Sequence, residues 1–233
     1  MKQKIYEGKA KILYRTEKAG ELIQEFKDDV TAFDAVKKAT VQGKGVVNCA
    51  ISSLLFLLLE SRGIPTHFLK RTSDREMLIR ELKMIPVEVV VRNLIAGSMA
   101  KRLGKKEGER LNQPVVEFYL KNDALHDPWL NEDHIKVFGL ASAEEVASIR
   151  KIALEVNSLL QNFFQERGIL LVDMKLEFGR DKDGILRVGD EITPDSIRLW
   201  DATTGKKLDK DVFRRDLGDL LEAYGEVLKR LEG

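Results

Sequence analysis

Apolar and polar residues change period several times along the chain, and each change marks an element. Ile12 to Thr16 and Glu21 to Lys27 flank Glu17-Lys18-Ala19-Gly20, a pattern that predicts a hairpin near the N-terminus. Val46 to Arg62 is apolar on most faces and stops at Gly63 and Pro65, as a buried helix does. Residues 74–84 fit two patterns: their charges suit an exposed helix, whereas Met77-Leu78-Ile79 suits a strand. Valine-rich Val87 to Arg92 predicts a strand, followed by a short helix, Met99 to Leu103, behind Ser98. Residues 105–114 read as loop, Val115 to Leu120 as a strand, and Lys121 to Glu132 as a long polar loop of the kind that often has a function. Ser142 and Glu145 make a capping box for a helix that runs to Arg167 and stops at Gly168. Ile169 to Phe178 and Ile185 to Ile192 read as strands joined through Asp183-Gly184, and a last helix spans Asp211 to Leu231.

Helices and hairpins are interspersed, which favours an α+β fold with mainly antiparallel sheets over a parallel α/β sheet. A boundary before the Pro86 strand divides a smaller lobe, residues 1–83, from a larger one, residues 84–233. Composition narrows the classes further. Thirty-nine Lys and Arg balance 38 Asp and Glu, so any anion site is local and a nucleic-acid backbone is not held by net charge. The single cysteine, Cys49, forms no internal disulfide or cysteine zinc cage, which fits a reducing compartment and a cytoplasmic enzyme. His67, His126 and His134 lack metal-ligand spacing and read as surface or structural residues. The N-terminus lacks the apolar core of a signal peptide. The longest uninterrupted apolar run, Leu54 to Leu59, has six residues, against about 20 for a membrane span, so no membrane association is expected.

Four segments bear chemistry. In LLVDMKLEFGRDKDGILRVGDE (170–191), strand alternation puts Asp173, Lys175 and Glu177 on one face and Val172, Met174, Leu176 and Phe178 on the other. A two-residue turn at Asp183-Gly184 would set Lys182 against Ile185 and Glu177 against Asp190. Facing carboxylates repel unless a cation lies between them, and Mg²⁺ suits such oxygen ligands. The alternative is a solvated charged face with Lys175 bridging the acids. In IPVEVVVRNLIAGS (85–98), Glu88, Val90 and Arg92 share a face, and Ser98 as an N-cap would complete a phosphate site with Arg92. The alternative is a capped helix with Arg92 paired to Glu88. In YEGKAK (6–11), Gly8 precedes Lys9 and Lys11, which share a face and suit either polyphosphate or a charged sheet edge. Finally, Asp190 to Arg198 forms a turn that brings Arg198 near the acids or leaves it on the surface.

Taken together, these stretches resemble the SAICAR synthase (phosphoribosylaminoimidazole-succinocarboxamide synthase) family. The likeness extends to DDVTAFDA (28–35), LKNDALHDP (120–128), GDEITPDSIRLWD (189–201) and LDKDVFRRDL (208–217), in the family's order and spacing. Phe33-Asp34 departs from the family's frequent Gly-Asp, and Ala35-Val36-Lys37-Lys38 from the polar pattern of many bacterial members, which bears on the contacts of that loop. The resemblance implies a two-lobed fold with an ATP cleft, the smaller lobe covering the nucleotide. It implies an ATP-dependent ligase joining L-aspartate to the carboxylate of an aminoimidazole carboxylate ribonucleotide (CAIR) in purine biosynthesis. Under it, Gly8, Lys9 and Lys11 meet ATP, and Glu177 and Asp190 hold Mg²⁺. Arg92, Ser98 and Arg198 clamp the 5′-phosphate of CAIR. Glu88 and Asp34 face the aminoimidazole, and Lys121 and Asp127 line the substrate side. Lys175 neutralises a reacting carboxylate and Asp173 orients it. Homodimerisation is left open.

Overall fold

In a computed structural model, which describes residues 3–32 and 36–233, alternation near the N-terminus builds a five-stranded antiparallel sheet. Strands β1 (Gln3–Glu7), β2 (Lys11–Arg15) and β3 (Glu21–Phe26) follow one another. A separate ribbon, β4 (Asp29–Ala32) and β5 (Lys37–Thr40), leads to helix α1 (Lys44–Ser61). Strands β6 (Phe68–Arg71) and β7 (Glu76–Arg80) complete the order β1-β2-β3-β7-β6. The ambiguous segment around residue 77 is therefore strand. Met77 and Ile79, two apart, both reach the core, which a strand allows and a surface helix does not.

By length and composition α1 could cross a bilayer, so the short apolar run considered above understates this helix. Its burial tells what it is: 61% of its residues are inside the protein. Lys44, at its first turn, is fully buried and donates to Asp195 at 2.6 Å. Cys49 is buried in the same helix, and burial pushes its thiol up, away from the nucleophilic form.

The second sheet takes its strands from residues beyond 82. These are β8 (Lys83–Leu94), β9 (Arg110–Leu120) and β10 (Trp129–Leu130), then β11 (Ile169–Arg180), β12 (Leu186–Gly189) and β13 (Ile197–Asp201). The order is β10-β9-β8-β11-β12, and β13 pairs with the first half of β11. Helix α2 (Gly97–Leu103) links β8 to β9; α3 (Glu132–Val137) and α4 (Ala143–Gln165) precede β11. Val146, Ile149, Ala153, Val156, Leu160 and Phe164 recur at helical spacing on α4 and share one core with Met174, Leu176 and Phe178 of β11. The other face of β11 is thereby left for polar groups.

Several local expectations are corrected. Strand β9 begins at Arg110 inside the expected loop; β10 covers only Phe118 and Tyr119, so Pro114 lies on an open edge. The expected C-terminal helix is broken into α5 (Asp211–Arg214) and α6 (Leu220–Glu232), with Asp216 and Gly218 at positive φ between them. Helix α6 packs back on α1. The turn at Asp183-Gly184 is longer than two residues: Arg180 pairs with Leu186, and Asp181 accepts the N–H groups of Asp183 and Ile185 at 2.9 Å each. Glu177 therefore stands opposite Gly189 on β12, not opposite Asp190.

After β13 the chain buries Asp209, whose carboxylate accepts the Leu199 N–H at 2.9 Å and the Asp211 N–H at 2.7 Å. Burial, then the charge of Asp211, pushes its carboxyl up to about 7. A raised folded value favours the protonated native state, so this contribution is complete in acid and is lost as pH rises through 7. Between pH 6 and 8 it should lower stability by roughly 1 kcal/mol, or about 2–4 °C in Tm. Thermal melts of wild type and Asp209→Asn across that range check this; the variant should lose this part of the slope.

Candidate active site

The polar face of β11 and the inner face of the first sheet enclose a cleft of about 690 Å³. That volume lies within the range of small-molecule and cofactor sites. Gly8, Lys9, Lys11, Glu88, Arg92, Ser98, Lys121, Asp127, Asp173, Lys175, Glu177, Asp190 and Arg198 all line it. Asp34 lies outside the described residues.

Register sorts these groups into two rows. Asp173, on central β11, is the partner of Arg92 on β8 and of Arg198 on β13. Four residues on, about 13 Å along the strand, Glu177 is the partner of Glu88. Lys175 lies between the rows.

In the first row Arg92 is almost fully buried. Its Nη1 donates to Asp173 at 2.9 Å, its Nε to Glu117 at 2.5 Å and its Nη2 to Ser98 at 2.9 Å. Arg198 donates from Nη1 to both oxygens of Asp173, at 3.0 and 2.9 Å, and from Nε to Asp211 at 3.2 Å. Its Nη2 lies against Gly97, where a Cβ would come within 2.5 Å. Both arginines thus direct their Nη2 ends to Gly97-Ser98. Arg92 does not pair with Glu88, and Asp173 is placed between the arginines, not against Lys175. Ser98 is not the N-cap of α2; that position is Ala96, and the Ser98 hydroxyl turns to Arg92.

The second row is a lattice of acids and ammonium groups. Lys175 Nζ lies 2.8 Å from Glu177, 3.0 Å from Glu88 and 3.5 Å from Asp190. Lys121 Nζ lies 2.6 Å from Glu177 and 3.3 Å from Glu88. Lys11 bridges Asp190 and, at 3.2 Å, Glu191. Glu177 and Asp190 thus converge on one ammonium group despite the shifted register. Asp190 follows the end of β12 with φ 62°, and this left-handed turn brings its carboxylate back to the face of Glu177. Burial alone would raise the Glu177 carboxyl, but Lys175, Lys11 and Lys121 bring it down to about 2. Burial likewise opposes the Lys175 ammonium, and the charges of Glu177 and Glu88 hold it above its ordinary value. Both are ionised at neutral pH.

At the cleft mouth, Lys9 donates to Asp123 across the gap between the two sheets at 2.8 Å. Asp127 takes φ 47° and accepts the Asn122 N–H at 2.8 Å, so one of its oxygens is committed to its own loop. Among the described residues no cluster of three or more acidic, His or Cys side chains has the geometry of a metal cage. Glu177 and Asp190 instead provide two carboxylates, the share a protein gives to a Mg²⁺ that keeps water and phosphate ligands. The donor set therefore fits a nucleotide-borne ion.

Sequence reasoning missed several groups. Glu117 and Tyr119 alternate on β9 within the otherwise apolar run from Val115 to Leu120, and that isolated acid was the available signal. Lys210, the N-cap of α5, and Arg214, its last residue, also line the cleft. His67 is buried at the cleft with no hydrogen-bond partner for Nε2; burial, then Lys11, lowers it to about 3, so it is neutral.

A profile of the SAICAR synthetase family matches residues 4–231. Phosphoribosylaminoimidazole-succinocarboxamide synthase of Persephonella marina is 57% identical over 231 residues, covering 99% of this chain and 97% of that one. The crystal structure of the synthase from Ehrlichia chaffeensis superposes with a TM-score of 0.97 at 45% identity, covering 99% of this chain and 98% of the other. A SAICAR synthetase solved in complex with ADP superposes with a TM-score of 0.94 at 51% identity, covering 97% and 96%.

Proposed function

The chain belongs to the SAICAR synthetase family, and from that premise we propose that it joins L-aspartate to the carboxylate of CAIR, with ATP becoming ADP and phosphate, in cytoplasmic purine biosynthesis. The observation that carries this reading is the two-row cleft: an arginine clamp at one end and a lysine–carboxylate lattice at the other, about 13 Å apart along one strand. A cleft with an anion clamp at one end and ammonium groups further along suits a ribonucleotide whose 5′-phosphate and base carboxylate must be held at once. The ADP held by the 51% identical neighbour supports ATP as co-substrate.

A carboxylate is a poor acyl electrophile, because its charge repels nucleophiles and oxide is a poor leaving group. Transfer of the γ-phosphoryl group to a carboxylate oxygen of CAIR, breaking the bond to ADP, gives an acyl phosphate. The aspartate amine then attacks the acyl carbon, phosphate leaves, and the amine loses a proton. The chain's part is placement and charge neutralisation. Arg92, Arg198 and Ser98 receive the 5′-phosphate. Lys175, between the rows, faces the carboxylate of CAIR, with Glu88 and Lys121 beside it. Lys9, on the β1–β2 connection behind Gly8, and Lys11, the first residue of β2, reach the polyphosphate. Glu177 and Asp190 would hold Mg²⁺, which when bound neutralises phosphate charge. L-Aspartate brings two carboxylates, and Lys210 and Arg214 are cleft cations not used by either nucleotide. Residues 1–83 cover ATP, and residues 84–233 supply the metal and CAIR sites.

The test is a coupled ADP-release assay with each substrate omitted in turn. ADP should appear at the full rate only when ATP, CAIR and L-aspartate are all present. Full-rate ADP release from ATP and CAIR alone would make the protein a small-molecule kinase instead.

A further inference from the structure

We propose that Glu117 and Asp211 are a matched pair of positioning residues that aim the two clamp arginines, an inference that rests on the reading of Arg92 and Arg198 as the phosphate clamp. Neither acid lines the cleft, and both are nearly fully buried. Each takes the Nε edge of one arginine: Glu117 that of Arg92 at 2.5 Å, and Asp211 that of Arg198 at 3.2 Å. Asp173 takes the Nη1 group of both, at 2.9 Å. A guanidinium is a rigid planar fork, so two fixed edges fix the third. The third edges are the Nη2 ends that meet at Gly97-Ser98.

Each acid is itself held from behind. Glu117 accepts from the Tyr119 hydroxyl at 2.9 Å and from Arg102. Asp211 accepts from Arg214 at 2.7 Å, and Arg215, 3.5 Å away, ties it to Glu107. Burying two carboxylates away from the substrate is costly unless their partners offset it. Burial opposes both charges, but Arg92 on Glu117 and Arg198 on Asp211 keep each carboxyl below its ordinary range. The row therefore reads Glu117–Arg92–Asp173–Arg198–Asp211, symmetric about Asp173, with both Nη2 edges turned to the same side, where that of Arg92 meets the hydroxyls of Ser98 at 2.9 Å and Tyr119 at 3.2 Å.

The test uses Glu117→Gln and Asp211→Asn, which keep volume and one acceptor oxygen but set an amide N–H₂ against existing donors. Misdirecting one arginine should raise KM for CAIR about tenfold or more, the loss of one charge-assisted hydrogen bond, with kcat within about threefold and KM for ATP unchanged. The Ki of ribose 5-phosphate, a probe of the phosphate end alone, should rise in parallel. Tyr119→Phe removes a donor to Glu117 and, with it, the hydroxyl that accepts from Arg92 Nη2 at 3.2 Å, and should give a smaller shift in the same direction. Arg92→Lys and Arg198→Lys are the controls. If they raise KM for CAIR and Glu117→Gln and Asp211→Asn do not, the positioning role is wrong and the clamp stands. If the lysine variants also leave KM for CAIR unchanged, the clamp reading itself fails. A fall in kcat with equal rises in both KM values would reduce the two acids to general stability and overturn the proposal.

Discussion

Glu177→Gln should lower turnover by about 10²–10³-fold while leaving the protein folded and its affinity for CAIR nearly intact. Glu177 is 3% exposed and is an acceptor for both Lys175 and Lys121. Glutamine fills the same volume, and Glu88 and Asp190 remain as partners for Lys175. What is lost is one of the two negative charges that would hold the metal of the nucleotide, together with the strongest local support for the charge of Lys175. The clamp is a separate row, so its substrate should be bound as before. Steady-state ADP release, with the KM for each substrate and a thermal melt, checks the prediction. Wild-type turnover in the variant would remove the metal role. The pH profile gives a second handle. With its carboxyl at about 2, Glu177 is fully ionised above pH 4.5, and its contribution to stability is lost only as pH falls toward 2. An acid limb of activity near neutral pH must then come from another group.

Arg92→Ala should lower Tm by roughly 10 °C, and this is the largest stability effect expected at the site. The side chain is 2% exposed and joins Glu117, Asp173 and Ser98. Truncation leaves two buried carboxylates short of a partner, which costs about 3–5 kcal/mol. For a chain of this size each kcal/mol corresponds to about 2–4 °C. In the fraction that stays folded, KM for CAIR should rise far more than KM for ATP, because no atom of Arg92 belongs to the lysine lattice. Calorimetry and substrate titrations check both parts; equal rises in the two KM values would count against the clamp. Arg92→Lys separates the two effects, since it keeps the charge but loses the fork that reaches three partners.

How much of this was legible in the sequence depended on distance along the chain. Strand parity is local, so it put Asp173, Lys175 and Glu177 on one face and Glu88 and Arg92 on another, and both faces line the cleft. Neighbour choice is not local. Glu177 opposes Glu88 because β11 and β8 pair, and a separation of 89 residues hides that from any short window. Turn chemistry also misled: Asp-Gly suggests a two-residue hairpin, but Asp181 captures two N–H groups and lengthens the loop. The resulting one-residue slip would have turned Asp190 away, and its left-handed φ restores it. Ser98 looked like a helix cap because of its place in the sequence, whereas a guanidinium from β8 takes its hydroxyl. Glu117 was overlooked because its role exists only once β9 lies beside β8.

The most direct measurement is an anomalous-scattering map from crystals soaked with Mn²⁺ and ADP. The account predicts a metal peak at the carboxylates of Glu177 and Asp190, with Lys11 moved from Asp190 onto phosphate oxygens. A metal peak ligated by neither acid, or bound nucleotide with both acids still paired to their lysines, would contradict it.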